Sequence, residues 1–303
     1  RRGSSPERRS RRRWHRPTAS VQLARPHAEA TTGVARVAVD VVKEGVASRA
    51  SDAVAMEEPL QIRLLHGPTD QCTQTDVAVT MRTPGHDEDL ALGFLHTEGV
   101  IEDTAAIVSV EESENVVSVG LAPTAAFDPE MFKRNTYTTS SCGICGKASI
   151  EAVHVHIPDR AGQDRFRIKA GLLEALPAAL AEHQTAFEQT GGIHASATFD
   201  SDGHIERVAE DVGRHNALDK LIGSYFAEGA LPLLERGILF SGRASFELVQ
   251  KAAVAGCPLV AAIGSPSSLA VELAGEQRMT LVGFLRQGRF NVYTLPHRVA
   301  TGG

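Results

Sequence analysis

The stretch SSCGICGK, Ser140 to Lys147, sets Cys142 and Cys145 in a Cys-x-x-Cys pair. That spacing serves three chemistries: half of a tetrahedral zinc site, a dithiol that cycles with a disulfide, or a thiol that carries another group. Gly143 and Gly146 strip bulk from around both sulfurs, and Lys147 supplies a cation that favours thiolate. His154 and His156 flank Val155 in a segment that reads as a strand, so both face one side and could complete a Cys₂His₂ set. The plainer alternative is a half-exposed strand with two histidines on its solvent face. A thioredoxin-like dithiol expects the pair at the start of a helix after a first strand, but here a long β-rich region precedes it. Cys257, before Pro258, reads as a buried small hydrophobe.

A second constellation lies downstream, in three strand-to-helix turns: EDVGRHN, SGRAS (Ser241–Ser245) and SPSS (Ser265–Ser268). In an open α/β sheet such turns gather at the carboxyl ends of the strands, where ligands bind. Ser241, Gly242 and Arg243 in one turn, with Arg214 and His215 in another, are backbone donors and fixed cations suited to a phosphate-bearing or nucleotide-like ligand. The alternative is that Ser and Gly only cap the helices. There is no Walker-type loop and no GxGxxG after a strand, which leaves ATP hydrolysis and dinucleotide redox chemistry without support. His194, in GGIHASA, and His215 are single histidines, more often structural than catalytic.

The elements that must position these groups fall into two regions. Residues 1–33 form an Arg-rich tail expected to be disordered. Residues 34–135 read as β-rich: VARVAVDVV, LQIRLLHG, VAVTMR and VVSVGLAP are strands. One helix follows TPG, with Asp87, Glu88 and Asp89 in its first turn and Gly99 as its stop. Residues 136–303 begin with the Cys-x-x-Cys loop and read as α/β. GLLEALPAALAEHQTAFEQTGG is one helical stretch in which Pro177 starts or kinks the longer half. IHASATFD and IERVAED are strands. HNALDKLIGSYFAEG is an amphipathic helix with a stripe of Ala217, Leu218, Leu221, Ile222, Tyr225 and Phe226. GILF, PLVAAIG, MTLVGFL and FNVYTL then alternate with two helices, the pattern of a largely parallel sheet covered on both faces.

Composition narrows the classes. At 303 residues, with 42% hydrophobic and 22% charged residues, the chain can bury a sizeable core. No apolar run is long enough to span a bilayer, so no membrane association is expected. Four scattered cysteines do not make a disulfide scaffold and suit a reducing compartment. Residues 1–16 carry eight Arg and one Glu, a local charge of +7 that leaves −13 on the rest of a chain of net charge −6. An acidic folded part argues against nucleic-acid binding. The paired arginines of the tail are followed by no apolar region, so the tail does not read as a secretory or twin-arginine signal.

Taken together, SSCGICGKASIE, TGGIHASATFD, EDVGRHNALDK, FSGRASFELVQKAA and LVGFLRQGRFNVYT resemble the FdhD/NarQ family of formate dehydrogenase accessory proteins. EEPLQIRLLHG and MRTPGHDEDLALGFLHTEGVI fit the same family, so the likeness runs from about Val34 to Arg298. It implies a cytoplasmic sulfurtransferase that takes persulfide sulfur from a cysteine desulfurase. The acceptor would be the molybdenum cofactor, Mo-bis(molybdopterin guanine dinucleotide), needed by formate dehydrogenase. Cys142 would bear the persulfide and Cys145 assist its transfer. Phe284, Leu285, Arg286, Gln287, Gly288 and Arg289 would meet the guanine-dinucleotide cofactor, with Arg286 and Arg289 on its phosphates. A homodimer and no permanently bound metal are expected. The resemblance also implies a C-terminal half related to cytidine deaminases, a mixed sheet with helices on both faces. Zinc deaminases use His-x-Glu and a later Pro-Cys-x-x-Cys. Here Ser196 stands two after His194 and the cysteine pair comes first, so deamination is not expected. The alternative function is a zinc-binding or nucleotide-binding regulatory module using the Cys-x-x-Cys pair.

Overall fold

A computed structural model describes residues 33–68, 71–125, 127, 155–159 and 165–302. The first two strands, β1 (Val34–Lys43) and β2 (Val46–Ala55), make an antiparallel ribbon. Its turn, Glu44-Gly45, has positive φ at both residues, the geometry that matches the twist of a tight hairpin. Sequence reading passes over β2 because VASRASDAVA has almost no apolar alternation, and its side chains are mostly exposed. The ladder to β1, not burial, holds it.

Strands β3 (Glu58–His66), β4 (Thr73–Arg82), β5 (Ile107–Ser113) and β6 (Val116–Leu121) form a second sheet in the order β4-β3-β6-β5. In β3, Leu60, Ile62 and Leu64 alternate onto one fully buried face. Helix α1 (Asp87–Thr97) covers that face with Leu90, Ala91, Leu92 and Leu95, and is the crossover that lets β3 and β6 pair in parallel. Asp87 does more than meet the helix dipole: it is buried and bound by Arg82 through Nε at 2.9 Å and Nη2 at 2.6 Å. Gly99, at φ 75°, ends the helix as expected; its N–H donates to the His96 carbonyl and the Val100 N–H to that of Leu95.

The third sheet contains β8 (His194–Phe199), β9 (Ile205–Asp211), β10 (Gly237–Phe240), β11 (Leu259–Ala262), β12 (Thr280–Arg286) and β13 (Arg289–Thr294), in the order β13-β12-β11-β10-β8-β9. Only β10, β11 and β12 run parallel, so the sheet is mixed where the alternation pattern suggested a largely parallel one. The reason is local: β8–β9 and β12–β13 are tight hairpins, and a short turn can return only an antiparallel strand. Helices α4 (Arg214–Ala227), α5 (Phe246–Val254) and α6 (Ser268–Glu276) cover one face over Ile238, Phe240, Val260, Ala262 and Leu281. Helix α2 (Ala170–Ala181) covers the other over Leu239, Leu259, Ala261 and Val282. A short parallel pair, β7 (Ile168–Lys169) with β14 (Val299–Ala300), closes that side. The whole is a mixed α/β structure of several sheets.

Two expectations need correction. The helical stretch after β7 is two helices, α2 and α3 (Thr185–Thr190), broken at Glu182–Gln184 and not at Pro177. Pro177 forfeits one backbone bond inside α2, but Leu173, Leu176 and Leu180 are fully buried, and that packing keeps the helix continuous. Helix α4 is not a one-sided surface helix: beyond the expected stripe it also buries His215, Asn216, Asp219, Lys220 and Gly223. It lies between α1 and the third sheet, so it has no solvent face over most of its length.

Candidate anion-binding site at the strand ends

The carboxyl ends of β9, β10, β11 and β12 and the start of β8 lie at one edge of the sheet, because His194 pairs with Asp211 and Ser196 with Phe240. The ladder continues past the strands: Gly264 N–H donates to the Gly242 carbonyl at 2.9 Å, Ser267 N–H to Ala244 at 3.0 Å, and Phe284 N–H to Gly264 at 3.0 Å. On the other side Ser241 N–H donates to the Ala195 carbonyl, and Ala195 N–H returns a bond to Ser241 Oγ. These bonds bring the three turns expected from sequence into one place. Between them is a cavity of about 280 Å³ lined by Arg214, Arg243, Ser245, Glu247, Ser265 and Ser267 among others.

Ser245 and Ser267 occupy the same position, each one residue before its helix, yet behave differently. Ser267 caps α6, its Oγ accepting from Ala270 N–H at 3.3 Å. Ser245 makes no such cap bond, and its Oγ is buried without a hydrogen-bond partner. Arg214 Nε and both ring nitrogens of His215 are in the same state. Of these residues Arg214 and Ser245 line the cavity, and since buried polar groups nearly always find partners, their two atoms mark it as a candidate ligand site.

The cavity carries both signs of charge: Arg214 and Arg243 are cations suited to an anion, and Glu247 is a carboxylate. Burial alone would push the Glu247 carboxyl up, but the neighbouring His215 and the residue's own backbone N–H hold it down to about 2. The His215 Nε2–Glu247 Oε2 separation of 3.8 Å is an ion-pair distance, beyond hydrogen-bond length. His194 sits beside Gly242, where a Cβ would meet its Nδ1 at 3.4 Å. Burial and then the Arg214 charge lower its pKa below the usual 6.5, so the imidazole is neutral at neutral pH.

The FLRQGR segment forms the end of β12 and its hairpin turn at this same edge. Phe284, at φ 53° and exposed, starts beside Gly264 at the cavity rim. Gly283 allows that approach, because a Cβ there would come within 2.8 Å of Pro266. Arg286, Gln287, Gly288 and Arg289 are exposed on the turn, whereas the Leu285 side chain is fully buried in the core under α2 and can offer a ligand only its backbone. Sequence reading missed Glu247, whose signal is an acid in the first turn of α5, and Asp211, discussed below. Cys142, Cys145, Lys147 and His154 lie outside the described residues. His156 is exposed, and Val155–Asp159 is not a strand as the HVH pattern suggested. Asp200, Asp202 and His204 cluster in the β8–β9 turn, but Asp200 is occupied there by the backbone N–H groups of Asp202 and His204.

Residues 55–300 match the model of the FdhD/NarQ family. The chain belongs to the FdhD/NarQ family. Among similar proteins is the sulfur carrier protein FdhD of Streptomyces avermitilis, 45% identical over 273 residues that cover 86% of this chain and 93% of that one. The sulfur carrier protein FdhD of Thermoplasma volcanium is 40% identical over 258 residues, covering 82% and 90%. A crystal structure described as a formate dehydrogenase accessory protein from Desulfotalea psychrophila superposes with a TM-score of 0.66 at 22% identity, over 88% of this chain and 99% of that one. That likeness shows that this FdhD/NarQ member shares its fold. Among the described residues no helix is long and apolar enough to cross a membrane.

Proposed function

We propose that this FdhD/NarQ member is a sulfur carrier that delivers sulfur to a molybdenum cofactor in formate dehydrogenase maturation. The observation that carries the reading is the cavity between the three turns, lined by Arg214, Arg243 and Ser245, where the buried Arg214 Nε and Ser245 Oγ lack hydrogen-bond partners. Relatives at 40% identity and above bear the name sulfur carrier protein. In this reading the acceptor, Mo-bis(molybdopterin guanine dinucleotide), is a substrate. A cavity of about 280 Å³ takes a phosphate or part of one nucleotide, not the whole molecule. Arg214, His215, Ser241, Gly242 and Arg243 would hold that part, and the exposed hairpin from Phe284 to Arg289 would meet the remainder.

The sulfur steps follow thiol–disulfide chemistry. The Cys142 thiolate attacks the outer sulfur of a cysteine desulfurase persulfide; that S–S bond breaks, and the desulfurase leaves as a thiolate. Cys142 now carries the persulfide. Cys145 then attacks the Cys142 sulfur, a Cys142–Cys145 disulfide forms, and hydrosulfide is released for the molybdenum centre. The two electrons that reduce the sulfane sulfur come from the Cys142–Cys145 dithiol, which becomes the disulfide, and two equivalents of an external thiol restore the pair. The same reading makes the protein cytoplasmic and homodimeric, with a cytidine-deaminase-like third sheet lacking the zinc chemistry.

Intact-protein mass after incubation with a cysteine desulfurase and cysteine tests this. A gain of one sulfur that disappears in Cys142→Ala is expected. No gain, or a gain that survives Cys142→Ala, sinks the carrier assignment. A nucleotide-binding regulatory module would instead keep guanosine diphosphate binding and support formate dehydrogenase maturation in a Cys142→Ala strain.

A further inference from the structure

The turn that presents Arg214 and His215 is anchored from the other end of the chain. Asp211, fully buried, spends both carboxylate oxygens on four donors. Oδ1 accepts from Gly213 N–H at 2.8 Å and Asn216 Nδ2 at 3.1 Å. Oδ2 accepts from Thr83 N–H at 3.1 Å and pairs with Lys220 Nζ at 2.8 Å. Thr83 belongs to the corner between β4 and α1, 128 residues away in sequence. All three of its polar groups go to this one segment: besides the N–H, its Oγ1 accepts from Val212 N–H at 3.0 Å and its carbonyl from Lys220 Nζ at 2.7 Å. Asn216 also donates to the Met81 carbonyl at 2.7 Å. The backbone N–H groups of Val212 and Gly213 are therefore both committed immediately before Arg214.

We propose that Thr83 and Asp211 are positioning residues for the anion site, fixing the Val212–Gly213 turn so that Arg214 faces the cavity ready for a ligand. This rests on the reading of that cavity given above. The physical reason is preorganisation: donors held in place before binding cost no ordering when the ligand arrives. The β4–α1 corner, which contributes no residue to the cavity lining, thereby sets the affinity of the site. A merely structural Thr83 would affect stability alone.

Thr83→Val keeps the volume and the backbone bonds but leaves Val212 N–H without its acceptor, and Thr83→Ser restores it. Guanosine diphosphate affinity by calorimetry and amide hydrogen exchange are measured on the full chain for both variants. Val117→Ala, in the core of the second sheet, serves as the destabilised control. The expected result is guanosine diphosphate binding about tenfold weaker in Thr83→Val, with faster exchange concentrated at Val212–Ala217. Thr83→Ser should bind like the parent chain, and Val117→Ala should lose stability without losing affinity. If Thr83→Val binds as tightly as the parent while exchange rises as broadly as in Val117→Ala, the positioning role is wrong and the anion site stands. If the parent chain does not bind guanosine diphosphate at all, the anion site and its positioning residues fall together.

Discussion

Gly93 of α1 and Gly223 of α4 face each other where the two helices cross, with backbone against backbone and no side chain between. A Cβ on Gly93 would run into the Asp219 carbonyl, and one on Gly223 into that of Asp89. Gly93→Ala and Gly223→Ala should each cost at least the upper end of the ~1–3 kcal/mol typical of overpacking, since neither helix backbone can yield. Urea unfolding measures this. The double variant should cost less than the sum, because both changes push on the same crossing.

Lys251 joins the helices beside that crossing. Its ammonium, buried, donates to Thr97 Oγ1 at 2.7 Å, Glu98 Oε1 at 3.1 Å and both Asp219 oxygens at 3.0 Å. Lys251→Met should destabilise by about 3–5 kcal/mol, because it leaves Asp219 a buried charge without its cation. Adding Asp219→Asn should recover part of that loss, an outcome chemical denaturation can read directly.

The twin serines should respond oppositely. Ser267→Ala removes a cap and should cost about 1 kcal/mol of stability. Ser245→Ala removes a buried hydroxyl that has no partner, so the unliganded protein should unfold at the same temperature or higher. Guanosine diphosphate affinity should nevertheless fall in Ser245→Ala, and by about tenfold or more in Arg214→Gln, the loss of a charged hydrogen bond. A Ser245→Ala protein that is less stable but binds normally would make Ser245 an ordinary structural residue.

Acid should weaken the fold in two stages. His194 has a pKa lowered from 6.5, so its contribution is present above that value and is lost as the pH falls below it. Glu247 sits near 2 against an ordinary 4.5, so its contribution is present above 4.5 and is lost between 4.5 and about 2. Melting curves across pH should show His194→Gln flattening the first stage and Glu247→Gln the second.

Cys145→Ser separates loading from release. The variant should gain one sulfur on Cys142 as readily as the parent chain, yet free hydrosulfide should not appear, because no second thiolate can take the Cys142 sulfur. Methylene-blue detection of sulfide distinguishes this from a Cys145 that is dispensable.

Short-range physics was legible before any coordinates. The apolar alternation of LQIRLLHG, the acids opening α1 and Gly99 closing it all acted within a few residues, and each does in the fold what its type dictates. The three strand-to-helix turns around the candidate site could be located for the same reason, since a junction rich in Gly, Ser and Arg is marked locally. Tertiary structure decided the rest. Which serine caps and which stays unpartnered, where Glu247 points, and that α4 is buried all round depend on neighbours distant in the chain. Thr83 carries no local mark of its partners; the packing of α1 across α4 brings it to Asp211. A sequence lists the polar groups, but a buried group must find its partner wherever folding puts one, and that pairing exists only in three dimensions.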